Sequence, residues 1–287
     1  MASEASLPPG TLPPHEVVTT VETALEFLRA RGLRPTGRFQ QFLSILRDHQ
    51  EGKSVDRRLL PIAFQDTYQL SQIAQQFGDC DQSEFENKLR LIISDPAHPE
   101  DSRAETPGRD AQFELFLASQ LKARGAGGVF FEEPDVVIEV GGLFFGFAAK
   151  RPKNRKRIRE RLRGAFKQLR REGANNQITH GLAALDLTFL ANPQGLPVVP
   201  NTETAPASAA MELVVLPEVR YIVETDMLSE LLGGKDLRLT CGVLLFGAIT
   251  AFLPDVGGVV NRGNFQVLRL DPTYRGALDL LNQTLGS

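Results

Sequence analysis

Asp135 and Lys150 carry the clearest chemistry in this chain of 287 residues. A carboxylate is a hard donor that suits Mg²⁺, and a neighbouring ammonium can orient a water or balance charge developing on a phosphate. Side by side, they suit metal-assisted cleavage of a phosphodiester. Meeting requires the chain between them to reverse. DVVIEV and LFFGFAAKR read as strands on either side of Gly141-Gly142, a two-residue hairpin signal. Antiparallel pairing sets the start of the first strand beside the end of the second, so the acid and the lysine share one sheet edge. The preceding segment DAQFELFLASQLKARG reads as a helix, with Phe113, Leu117 and Leu121 on one face and Gly125 at its end. Glu114 adjoins that face and can reach the same edge.

The flanking segments give a recognisable order. GVFFEEP reads as a strand before DVVIEV, residues 153–172 as a long basic helix, and HGLAALDLTFL as a fourth strand. The order is helix, three strands, helix, strand. From Lys150 to Glu172 there are twelve Lys or Arg against two Glu, although the whole chain holds 32 basic and 35 acidic residues. Such a run repels itself without an anionic partner, and a phosphate backbone is the natural one. Arg151, Arg155, Lys156 and Arg159 lie nearest Lys150 and are the expected phosphate contacts. Ile158, Leu162, Phe166 and Leu169 recur at helical spacing and should face the sheet.

Pro134-Asp135, Lys150 at a strand end, the helix carrying Glu114 and the αβββαβ order together resemble the PD-(D/E)XK nuclease superfamily. The resemblance covers roughly residues 108–190. It implies an α/β, restriction-endonuclease-like core with a mixed sheet, and Mg²⁺-dependent (or Mn²⁺-dependent) hydrolysis of DNA phosphodiesters in defence, restriction or repair. Asp135 and Glu114 would hold the metal, Lys150 would assist the attacking water, and Gln168 would support the site from the basic helix. One position departs from the pattern. The acid expected two residues before the lysine is Ala148, in Gly-Phe-Ala-Ala-Lys. Glu114 is the first candidate to replace it and Glu133 the second, about 6–7 Å from Asp135 by strand rise. Glu139 lies about 13 Å along the strand, too far. The alternative is a catalytically inactive nuclease-fold protein that binds nucleic acid.

The remainder is plainer. Residues 1–15 contain four Pro and no periodicity and read as a disordered tail. Residues 16–95 read as helical, with stripes such as Phe39, Phe42 and Leu46, or Phe85, Leu89 and Ile92. This region shows no catalytic grouping, which leaves packing, a homodimer or a protein partner as its role. Residues 96–109 read as a linker and 110–287 as the nuclease-like domain, with its core at 110–190 and a mobile loop at 191–210. Strands are expected near 213–224, 239–252 and 264–270, then a final helix. Gly257-Gly258, Asn261-Arg262-Gly263-Asn264 and Gly233-Gly234-Lys235 read as turns. His180 reads as a structural histidine.

Composition excludes several classes. A net charge of −3 excludes a globally basic nucleic-acid binder, and two Cys exclude a disulfide scaffold or Cys-rich zinc site. Four scattered His show no metal-cage spacing. The longest apolar run, Leu239 to Pro254, is shorter than the roughly 20 residues of a membrane span and is broken by Gly242 and Gly247, so buried strands with a turn are expected. The start of the chain lacks a signal-peptide pattern. A cytoplasmic protein that acts on DNA, with RNA also compatible, is the resulting expectation.

Overall fold

A computed structural model of the chain describes residues 11–12, 14–35, 37–56, 58–97, 106–131, 134–152, 154–172, 178–191, 240–253, 258–270 and 272–286. Five helices come first: α1 (Pro14–Ala30), α2 (Arg38–Gln50), α3 (Leu59–Phe77), α4 (Ser83–Ser94) and α5 (Pro107–Ala123). They are followed by β2 (Val129–Phe130), β3 (Val136–Val140), β4 (Leu143–Lys150), α6 (Ile158–Glu172), β5 (His180–Asp186) and α7 (Thr188–Ala191). The chain closes with β6 (Thr240–Leu253), β7 (Gly258–Arg269) and α8 (Arg275–Gly286), while a two-residue strand β1 (Thr11–Leu12) pairs with β7 at the far edge.

The strands form one mixed α/β sheet in the order β1-β7-β6-β5-β4-β3-β2. The β3–β4 hairpin turns on Gly141 and Gly142, whose φ angles of 57° and 79° suit a two-residue turn that other residues enter at a cost. Parallel pairing of β4 with β5 is reached through α6. Alternate strand residues face opposite layers. Phe145, Phe147, Ala149, Leu182, Leu244 and Phe246 pack in the core that also holds α1–α5 and α8. Ala148, Ala183, Leu185, Val243 and Leu245 face Ile158, Leu162, Ala165, Phe166 and Leu169 of α6.

The N-terminal helices are therefore no separate module. Their apolar stripes share a continuous core with α5 and the sheet. Leu91 is the exposed large hydrophobic residue among the described residues. The central helix α3 is buried around most of its circumference, so its sequence shows no clean stripe. Among the described residues, no helix is long and apolar enough to cross a membrane.

Several boundaries differ from expectation. Thr11–Leu12 is a strand and α1 begins at Pro14, within the stretch read as a tail. The helix α5 begins at Pro107, inside the expected linker, because Asp95 accepts the Arg109 N–H and fixes that turn. The first of the three expected strands is reduced to Val129–Phe130. Thr-Phe-Leu after Asp186 is helical, since the Asp186 carboxylate accepts the Thr188 N–H and starts α7. Residues 240–253 form a single strand without a turn. Gly242 is needed there for close approach, because a Cβ would come 2.7 Å from the Leu268 carbonyl oxygen. Asn261 to Asn264 pair with Thr250 to Gly247 inside the β6–β7 ladder, and Gly258 pairs with Leu253. The strand expected near 213–224, residues 192–210 of the expected loop and Gly233-Gly234-Lys235 lie outside the described residues.

Candidate active site

The β3–β4 register pairs Val136 with Phe147. One residue further, Asp135 falls opposite Ala148, beside the end of β4. There the Asp135 Oδ2 accepts the Ala149 N–H at 2.8 Å and the Lys150 ammonium at 3.1 Å. From α6, the Gln168 amide donates to Asp135 Oδ1 at 2.8 Å and also to the Pro134 carbonyl. Asp135 is thus held by a strand backbone, a strand-end lysine and a helix glutamine. Both Asp135 and Lys150 remain partly accessible, with side-chain exposures of 12% and 17%.

Glu114 approaches from α5. Its carboxyl is pushed up to about 7, first by burial and then by the negative charge of Asp135, against the pull of Lys88 and Lys150. The two carboxylates therefore lie within electrostatic reach of each other. Lys88, on α4, donates to Glu114 Oε2 at 2.5 Å. Burial works against the Lys88 ammonium, but Glu114 outweighs it and leaves this lysine above its usual value. The site is thus two acids, Glu114 and Asp135, flanked by two lysines, Lys88 on one acid and Lys150 on the other.

Asp110, one turn before Glu114 on α5, stands close by. Its Oδ1 accepts the Arg151 N–H at 3.0 Å, and its Oδ2 lies 3.5 Å from Arg161. Burial pushes this carboxyl up to about 6, although Arg161, the Arg151 N–H and Lys150 all pull it down. Sequence reading missed both Asp110 and Lys88. Asp110 had a readable signal, since positions i and i+4 of a helix share a face. Lys88 had none, because α4 is far away in the chain and only the tertiary packing brings it here.

The structure brings Asp135, Lys150 and Gln168 into one hydrogen-bonded cluster, with Glu114 bonded to Lys88 and within electrostatic reach of Asp135 and Lys150. Glu133 lies outside the described residues. Ala148 is fully buried under α6 among Ile158, Leu162 and Phe166, so a carboxylate there would enter an apolar layer. Among the described residues, no group of three or more His, Cys, Asp or Glu has a geometry that could hold a metal ion. Glu114 and Asp135 are nevertheless oxygen donors of the kind Mg²⁺ and Mn²⁺ take.

The basic segment divides in two. Arg155, Lys156 and Arg159 are exposed, together with Arg157, Arg163, Lys167, Arg170 and Arg171. Arg151 departs from expectation. Its side chain is buried and turns inward, with Nε 2.6 Å from Asp186 and Nη1 3.9 Å from Asp66. Burial disfavours its charge, but Asp186 and Asp66 outweigh that and hold it above the usual arginine value. It cannot be a phosphate contact in this arrangement. It joins a buried network in which Asp66 also receives Arg38 at 3.0 Å and Arg109 at 2.6 Å, with Gln112 bonded to Arg38, to Gln69 and to the Asp66 carbonyl.

No family model, no curated protein and no solved structure matches the chain.

Proposed function

We propose that this chain is a divalent-cation-dependent nuclease of the PD-(D/E)XK type that hydrolyses DNA phosphodiester bonds in the cytoplasm. The observation that carries this reading is the set of donors on Asp135: the Ala149 N–H, the Lys150 ammonium and the Gln168 amide, gathered at the end of β4 with Glu114 within electrostatic reach. The order α5-β2-β3-β4-α6-β5 supports the same reading, because it follows the helix, three strands, helix, strand sequence of a restriction-endonuclease-like core.

Glu114 and Asp135 would hold Mg²⁺ or Mn²⁺, with the Ala149 carbonyl and Glu133 as further donors. Bound there, the metal supplies Lewis acidity and a water of lowered pKa. The protein's own part is positioning. Gln168 and the Ala149 N–H fix the Asp135 carboxylate. Lys150 places a positive charge where phosphate charge develops and can orient the attacking water. The exposed cations of α6 bind the phosphate backbone by releasing counterions.

A second reading, an inactive nucleic-acid-binding protein, is favoured by the burial of Ala148 under α6. Cleavage of plasmid and single-stranded DNA with Mg²⁺, Mn²⁺ or EDTA separates the two, with Asp135→Asn in parallel. Metal-dependent cutting that Asp135→Asn abolishes supports the nuclease. Retention of DNA without cutting in either metal supports the binding protein.

A further inference from the structure

We propose that Lys88 is a positioning residue of this site: its ammonium is the resident counter-ion of Glu114, and a divalent cation enters only in competition with it. The inference rests on the cation site proposed above, and it gives the N-terminal helices a part in that site.

The geometry leaves Lys88 little choice. Phe85, Leu89 and Ile92 of α4 are buried, and Lys88 sits among them on the same side of the helix. The α4 and α5 backbones run so close that a Cβ on Gly108 would lie 2.1 Å from the Leu91 carbonyl oxygen. Buried there, an ammonium needs a partner, since removing an ion from water is strongly unfavourable. Glu114 is that partner, at 2.5 Å. The largest charges bearing on Lys88 are Glu114, Asp135 and Glu84, all negative. The Glu114 carboxylate is therefore paired with Lys88 and also feels the charge of Asp135. A cation shared by Glu114 and Asp135 must tolerate the Lys88 charge beside it or dislodge that ammonium from Glu114. A purely structural ion pair would affect folding but would not set metal affinity according to charge.

The test is Mn²⁺ binding to the full chain, read from loss of the free-ion electron paramagnetic resonance signal. Lys88→Gln keeps an N–H for Glu114 but removes the charge. It should bind Mn²⁺ about tenfold more tightly, the effect of one neighbouring unit charge on a divalent ion even at near-aqueous screening. Lys88→Met, uncharged and of similar length, should behave alike and serves if Lys88→Gln does not fold. Lys88→Arg, which keeps the charge, should stay at the wild-type value. Neutral variants that bind Mn²⁺ no more tightly than wild type overturn the proposal, as does equal tightening by Lys88→Arg. DNA cleavage in the same preparations keeps the two readings apart. Charge-dependent Mn²⁺ affinity without cleavage in any variant removes the nuclease and leaves the role of Lys88 standing.

Discussion

The Lys150 ammonium lies 3.1 Å from Asp135 Oδ2, and the N–H of the residue before it, Ala149, reaches the same oxygen at 2.8 Å. One strand end thus contributes both a fixed backbone donor and a mobile charged one. Lys150→Ala removes only the second. It should lower metal-dependent cleavage by at least about 100-fold, the usual loss on deleting a positioned proton-transfer or charge-stabilising group. DNA retention in EDTA should stay near wild type. Undiminished cleavage by this variant would contradict the site assignment.

Asp66 is the hub of the buried network, within hydrogen-bond reach of both Arg38 and Arg109. Its carboxyl lies below the usual range: burial raises it, but Arg109, Arg38 and Arg151 together outweigh burial. Asp66→Ala leaves these buried guanidinium groups short of a partner. Urea unfolding should show a loss of about 3–5 kcal/mol. Glu22→Ala removes an ion pair with Arg47 that is about half exposed and should cost less than about 1 kcal/mol.

The sequence made the centre of the fold readable because the signals there are local. The Gly141-Gly142 turn fixes the β3–β4 register, and the register alone brings Asp135 to Lys150. The amphipathic stripe of α6 fixes which face lies on the sheet, and with it the inward position of Gln168. Arg151 was misread because its sequence neighbours are exposed cations. Only the tertiary arrangement shows Asp186 and Asp66 waiting beneath it. Lys88 was invisible for the same reason. Residues 240–253 misled in the opposite way, since glycines that signal a turn can also admit a close neighbouring strand.

Gly108 ties packing to the site. A methyl group there would meet the Leu91 carbonyl oxygen at 2.1 Å and its carbon at 2.8 Å, both backbone atoms that cannot swing aside. Gly108→Ala should therefore push α4 away from α5, costing about 1–3 kcal/mol by overpacking. The shift should also loosen Lys88 from Glu114. Thermal unfolding and Mn²⁺ titration of the same variant measure the two effects. An unchanged melting temperature would contradict the close approach.

Asp110 predicts a pH dependence of stability. A carboxyl whose folded pKa is about 6, against 3.8 ordinarily, binds its proton more tightly in the folded chain. Its contribution to stability is full below the unfolded value and is lost as the pH rises through about 6. Asp110→Asn retains an oxygen for the Arg151 N–H but cannot titrate. The stability of wild type relative to this variant should fall by about 3 kcal/mol at most between pH 4 and pH 6 and then level off. Urea unfolding at unit steps of pH measures the difference. A difference that is flat, or that rises, would show that Asp110 is not held in this buried setting.

The two classes of arginine around α6 should respond oppositely to mutation. Arg155 and Arg159 are exposed, whereas Arg151 is buried against Asp186. Arg155→Ala and Arg159→Ala should leave the melting temperature within about a degree or two of wild type, as surface changes usually do. Each should weaken DNA binding and reduce the slope of log affinity against log salt by about one. Arg151→Ala strands the Asp186 carboxylate in the core, so it should cost about 3–5 kcal/mol of stability. Its salt slope, measured at a temperature where it remains folded, should match wild type. A normal melting temperature with a reduced slope for Arg151→Ala would place that side chain on the DNA and contradict the buried network.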